Sequence, residues 1–170
     1  MPTAFKVILV SGVFIAGCAS LSKNQCLNAD WYTVGLEDGA VGRPLERLGD
    51  HRRACAEYNV APQTERYVAG RNEGLRTFCT YERGYSNGRS GQGYTPVCAA
   101  ETGFGTGYQR GREIFDLTHR LEQIQHEITR TKEALKAGIP NPAARAREVE
   151  RLEDLTREAE QLESRLKGVN

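Results

Sequence analysis

Tyr67-Val68-Ala69-Gly70-Arg71-Asn72-Glu73-Gly74 sets one aromatic residue and two glycines at positions i, i+3 and i+7, which share one face of a helix. The pattern recurs in Tyr85-Ser86-Asn87-Gly88-Arg89 and Tyr108-Gln109-Arg110-Gly111-Arg112, and Tyr32-Thr33-Val34-Gly35 lacks only the arginine. Glycines four apart, Gly35/Gly39, Gly70/Gly74 and Gly84/Gly88, lengthen the stripe. Each mid-helix glycine costs up to about 1 kcal/mol against alanine. Repeating that cost makes sense where a second backbone must come close. Steps of three and four, rather than alternation, weigh against strands. The expectation is an all-α fold with a small helical core.

Two roles remain open for Trp31, Tyr32, Gly35, Gly39, Tyr67, Gly70, Arg71, Gly74, Tyr85, Gly88, Arg89, Tyr108, Gly111 and Arg112. They pack helices together, or their tyrosines and arginines line a groove for a glycan or an anionic headgroup. The helices themselves have visible ends. Asp30 caps one running from Trp31 to about Gly42. Pro44 opens the next, through Leu48 and Cys55 to Tyr58, with Leu45, Leu48, Cys55 and Tyr58 on one face. Pro62 opens a third ending near Phe78, a shorter one spans Tyr85 to Ser90, and Gly91 to Pro96 forms a loop.

Composition changes near Arg112. Beyond it Gly, Tyr and Cys give way to Glu, Arg and Leu. Ile114, Leu117, Leu121, Ile124, Ile128, Thr131 and Leu135 follow heptad spacing, and Ala137-Gly138-Ile139-Pro140-Asn141-Pro142 interrupts it. Val149, Leu152, Leu155, Ala159, Leu162 and Leu166 form a second stripe. Two helices of similar length around a short break predict an antiparallel coiled-coil hairpin, with the first arm emerging from the core as one helix. Residues 112–168 are the surface expected to meet a protein partner or a second copy.

At the other end, Lys6 precedes an apolar run from Val7 to Ile15, and small residues lead into Cys18. That layout predicts a signal peptide over residues 1–17. Ile15-Ala16-Gly17-Cys18 resembles the lipobox of bacterial lipoproteins. In that class the cysteine thiol receives a diacylglycerol, the chain is cut before it, and the new amine is acylated. One acyl chain, at about 0.8 kcal/mol per buried CH₂, holds marginally, whereas two or more hold stably. The organisation expected is therefore a signal peptide (1–17), a disulfide-bonded helical domain (18–111) and a coiled-coil hairpin (112–170).

Four further cysteines, Cys26, Cys55, Cys79 and Cys98, suit two disulfides in an exported chain. Three pairings are possible, and short loops favour Cys26–Cys55 and Cys79–Cys98. The gaps are far from the close cysteine pairs of a zinc site, so no metal is expected. Without residues 1–17 the chain carries 22 acidic and 22 basic residues. That balance argues against nucleic acid, whose binding draws on excess Lys and Arg.

Catalytic patterns are sparse. His51 lies in the charged stretch Gly49-Asp50-His51-Arg52-Arg53 and is expected to be exposed. His119 and His126 share a helix face without a third ligand. No Gly-x-Ser-x-Gly elbow is present, and Gly103-Phe104-Gly105-Thr106-Gly107 has Tyr108 where a dinucleotide loop needs glycine. Glu37 and Asp38 are adjacent, which turns them about 100° apart on a helix and suits a two-carboxylate hydrolase poorly. The expectation is a protein without enzymatic activity and without cofactor.

Cys18, Cys26, Asp30-Trp31-Tyr32-x-x-Gly35-x-x-Asp38-Gly39-x-x-Gly42, Cys55, Tyr67-x-x-Gly70-Arg71-x-x-Gly74 and Cys79 together resemble the bacterial lipoproteins catalogued as domain of unknown function 2799. The resemblance covers roughly residues 18–115. It implies a Gram-negative envelope location and an α-helical, disulfide-bearing domain, and it brings no established activity or ligand. By analogy with lipoprotein sorting, Ala19 and Ser20 lack the aspartate that retains such proteins in the inner membrane. The expected place is the periplasmic face of the outer membrane.

Overall fold

Asp30 begins the first long helix much as its sequence suggests, its carboxylate accepting the Tyr32 amide at 3.3 Å. The computed structural model describes residues 20–169; the expected signal segment and Cys18 lie outside them. The helices are α1 Lys23–Leu27, α2 Trp31–Ala40, α3 Arg47–Ala56, α4 Thr64–Phe78, α5 Tyr81–Arg89, α6 Thr102–Ala137 and α7 Pro142–Val169. A 3₁₀ turn occupies Pro96–Cys98, and among the described residues there is no strand. Thr80 caps α5, and the Asn141 carboxamide accepts the Ala143 and Ala144 amides at 2.9 and 3.1 Å to start α7.

Helices α2 and α4 touch backbone to backbone. A Cβ on Gly35 or Gly39 would strike the carbonyls of Tyr67 or Arg71, and one on Gly70 or Gly74 would strike those of Tyr32 or Leu36. Each helix thus presents its glycines to the other's carbonyls. Helices α5 and α6 repeat the arrangement: Gly84 and Gly88 meet the carbonyls of Phe104 and Tyr108, while Gly107 and Gly111 meet those of Tyr81 and Tyr85. The two pairs are copies of one plan. In each, a left-handed glycine (Gly42 at φ +72°, Gly91 at +71°) ends the first helix against a phenylalanine ring, Phe78 or Phe115. In each, a disulfide ties the segment before the first helix to the link between helices, Cys26–Cys55 and Cys79–Cys98. These crosslinks span 29 and 19 residues and contribute about 3 kcal/mol each in the chain-entropy account.

One core forms around Cys26, Trp31, Leu48, Cys55 and Tyr67, capped by Leu21. The other gathers Cys79, Cys98 and Phe104, capped by Leu75 from the end of α4. The Arg83 guanidinium lies 4.2 Å from the Phe78 ring centroid where the two units adjoin.

Helix α6 runs 36 residues without a break, about 54 Å, so its first third completes the second glycine pair and the rest forms an arm. Helix α7 packs extensively against α6 alone. Leu117 and Ile124 meet Leu155, Ala159 and Leu162. Arg120 pairs with Glu158 at 2.9 Å and Arg151 with Glu127 at 3.1 Å, which sets the helices antiparallel. Two side chains depart from the expected faces. Leu45 is 46% exposed because α3 begins two residues after it, and Val149 is 39% exposed because it falls outside the α7 seam.

Glycine contacts of this kind leave a clear mutational signature. Gly70→Ala should lose about 2–4 kcal/mol in equilibrium denaturation, because a methyl group has to push two backbones apart. Gly105→Ala, whose methyl would meet nothing nearer than the Tyr94 hydroxyl at 3.8 Å, should be neutral or gain up to about 1 kcal/mol. Equal losses at both sites would contradict the reciprocal packing.

Candidate functional site

Four polar side chains from four segments converge inside the first unit. Helix α2 supplies Asp38, α3 supplies His51, α4 supplies Tyr67, and Ser20 comes from the segment before α1. The Tyr67 hydroxyl donates to Asp38 Oδ2 at 2.6 Å, and His51 Nε2 lies 2.8 Å from the same oxygen. Ser20 Oγ is 2.8 Å from His51 Nδ1. A carboxylate only accepts, so His51 Nε2 carries a hydrogen and donates it to Asp38. Burial, and after it the bond to Asp38 and its charge, push the Tyr67 phenol well above the ordinary tyrosine range. Tyr67 therefore stays a donor at any physiological pH.

His51 is 2% exposed, which corrects the expected exposed position. Its neighbours Asp50, Arg52 and Arg53 give the stretch its charged character, but Leu48, His51 and Cys55 lie at i, i+3 and i+7 and form the inner face of α3. The signal was present in that spacing. Nothing in the sequence revealed that Ser20, Asp38 and Tyr67 would meet it.

The second unit shows what the fold alone requires. At the places of Asp38, His51 and Tyr67 it has Asn87, Tyr94 and Phe104. The Tyr94 and Phe104 rings meet edge-on at 5.4 Å, as His51 and Tyr67 do at 5.9 Å. A neutral, largely apolar set fills the same space, so the hydrogen-bonded quartet is a specialisation of the first unit. Ser, His and Asp in line match the donor order of a serine hydrolase. Here, however, the imidazole is closed off and the carboxylate oxygen is shared with Tyr67.

The other singled-out residues lie at the helix contacts or pair along their own helix. Trp31 is buried, while Tyr32 is partly exposed with its carbonyl against Gly70. Arg71, 8% exposed, donates from Nε to the Arg43 carbonyl at 2.9 Å, and in the second unit the Tyr108 hydroxyl donates to the Gln92 carbonyl at 3.0 Å. Arg112 pairs with Asp116 at 3.0 Å and lies over the Phe115 ring. Tyr85 stacks on Tyr81 and accepts from Arg89 at 2.8 Å, both near the surface. Gly103 to Gly107 are helical, at the start of α6. No cluster of three or more potential metal ligands occurs among the described residues.

Replacing Tyr67 by Phe should cost about 1 kcal/mol at neutral pH, because it removes the hydroxyl that donates to Asp38. Because folding raises the Tyr67 pKa, its contribution is whole below the ordinary value of 10.0 and falls as pH rises above it. The loss is about 1.4 kcal/mol per pH unit. Denaturation curves of Tyr67→Phe should therefore show a shallower alkaline decline than the parent; an unchanged slope would refute the buried phenol.

No curated protein and no solved structure matches the chain. A family model does match, over residues 30–113, which begin at the Asp30 cap and end just past Arg112. That span takes in both glycine-paired units and stops where the α6–α7 arm begins, and through it the chain belongs to the family described as protein of unknown function (DUF2799).

Proposed function

We propose that this is a lipid-anchored envelope protein that works by binding another protein, without chemistry of its own. Cys18 carries the acyl chains, the duplicated core is the rigid body, and the α6–α7 hairpin is the arm that meets a protein partner or a second copy. The periplasmic face of the outer membrane is its place. The observation that carries this reading is the arm: α7 packs extensively on α6 only, so the outer faces of both helices stay free of the core. Among the described residues no helix is long and apolar enough to cross a membrane.

The glycan or headgroup reading draws less support. Tyr67, Arg71, Tyr108 and Arg112 bond to groups within the chain. A hydrolase reading would need a reactive Ser20, and a fluorophosphonate probe should leave it unlabelled.

Ending the chain after Asp116 keeps Phe115 and every glycine contact while removing the arm. The shortened protein should stay folded with both disulfides, and proteins crosslinked to solvent-facing positions of α6 and α7 in cells should vanish from its pull-downs. Pull-downs that match the full chain would overturn the arm as the binding element.

A further inference from the structure

From Ser20 to Cys26 the chain is fastened to the core. Ser20 bonds His51, Leu21 is buried, Ser22 caps α1, and Cys26 is disulfide-bonded to Cys55. These contacts also fix its direction. Cys26 lies opposite Cys55 at the far end of α3, whereas Ser20 reaches His51 and, through it, Asp38 near the end of α2. Followed backward from Cys26 to Ser20, the chain travels toward the α2–α3 turn, Val41-Gly42-Arg43-Pro44-Leu45. Only Ala19 separates Ser20 from Cys18, a reach of about 7 Å at full extension.

That turn exposes apolar side chains. Val41 is 59% and Leu45 46% exposed, with Arg43 exposed between them. It is also held from beneath. Gly42 presses on the Phe78 ring, the Arg43 amide donates to the Asp38 carbonyl at 2.8 Å, and Arg71 donates to the Arg43 carbonyl. The second unit again gives the comparison. Its turn reads Ser90-Gly91-Gln92-Gly93, and the ring of the following Tyr94 packs on Phe104 and Tyr108 at 5.4 and 5.2 Å. The duplicated plan has no need of exposed aliphatic residues here.

We propose that the Val41–Leu45 turn is a membrane-contact loop that seats the core on the phospholipid surface beside the anchor. Apolar tips flanking a cation suit the boundary between headgroups and acyl chains, where the guanidinium stays among phosphates. The proposal rests on the lipid-anchor reading. It holds the core against the bilayer, and the arm takes its direction from it.

The test uses the acylated protein extracted from cells and reconstituted in phosphatidylethanolamine–phosphatidylglycerol vesicles doped with bromine-labelled phospholipid. Val41→Trp, Leu45→Trp and, in the second unit, Gln92→Trp are compared, with buried Trp31 as common background. At positions 41 and 45 the introduced indole should shift its emission to the blue and lose about half its intensity, while at 92 it should do neither. A chain that fails to float with the vesicles overturns the anchor and the contact together. A chain that floats with unquenched indoles at 41 and 45, or with equal quenching at 92, overturns the contact and leaves the anchor standing.

Discussion

The fold depends on backbones meeting where side chains ordinarily stand between them. At Gly35, Gly39, Gly70 and Gly74, and again at Gly84, Gly88, Gly107 and Gly111, the missing Cβ lets a carbonyl of the facing helix take its place. This closeness decides much else. It leaves little room for a large apolar core between the paired helices, so buried side chains collect at their ends, around the disulfides. Helices of nine or ten residues such as α5 and α2 are marginal alone, and contact along their whole length, closed by a crosslink, offsets the low helix propensity of their glycines.

Duplication separates what the scaffold needs from what one copy has added. Both units keep the glycines, the cysteines, the left-handed turn and the phenylalanine beneath it. Only the first has the Ser20–His51–Asp38–Tyr67 chain of hydrogen bonds, and only the first has exposed aliphatic side chains on its turn. The first of these sits where Ser20 joins the core. The second unit differs in the opposite sense: its last helix continues outward as the arm. The two units thus depart from their shared plan in different ways.

Much of this was legible in the residues. The Asp30 cap, the glycine stripes, the two short-loop disulfides and the heptads of residues 114–135 all state local rules that the tertiary structure obeys. The second glycine pair was harder to see, because Phe104 stands where Tyr67 stands in the first and the tyrosine motif therefore begins one residue past Gly107. His51 was hidden by its charged neighbours, since three charges outweigh one inward spacing when a stretch is read by composition. The polar quartet was out of reach, because its members come from four segments whose approach is fixed only by glycine contacts elsewhere. Leu45 was assigned to the inner face by starting the α3 periodicity at Pro44, although the helix begins only at Arg47.

The central claim is that the core is two copies of a helix pair in direct backbone contact. Nuclear Overhauser spectroscopy on the disulfide-intact protein measures that contact without mutation. The account predicts strong cross-peaks from the Gly35 and Gly39 α-protons to backbone protons of residues 67–75, matched by cross-peaks from Gly84 and Gly88 to residues 104–112. Glycine α-protons that show only intrahelical and side-chain neighbours in either unit would contradict it.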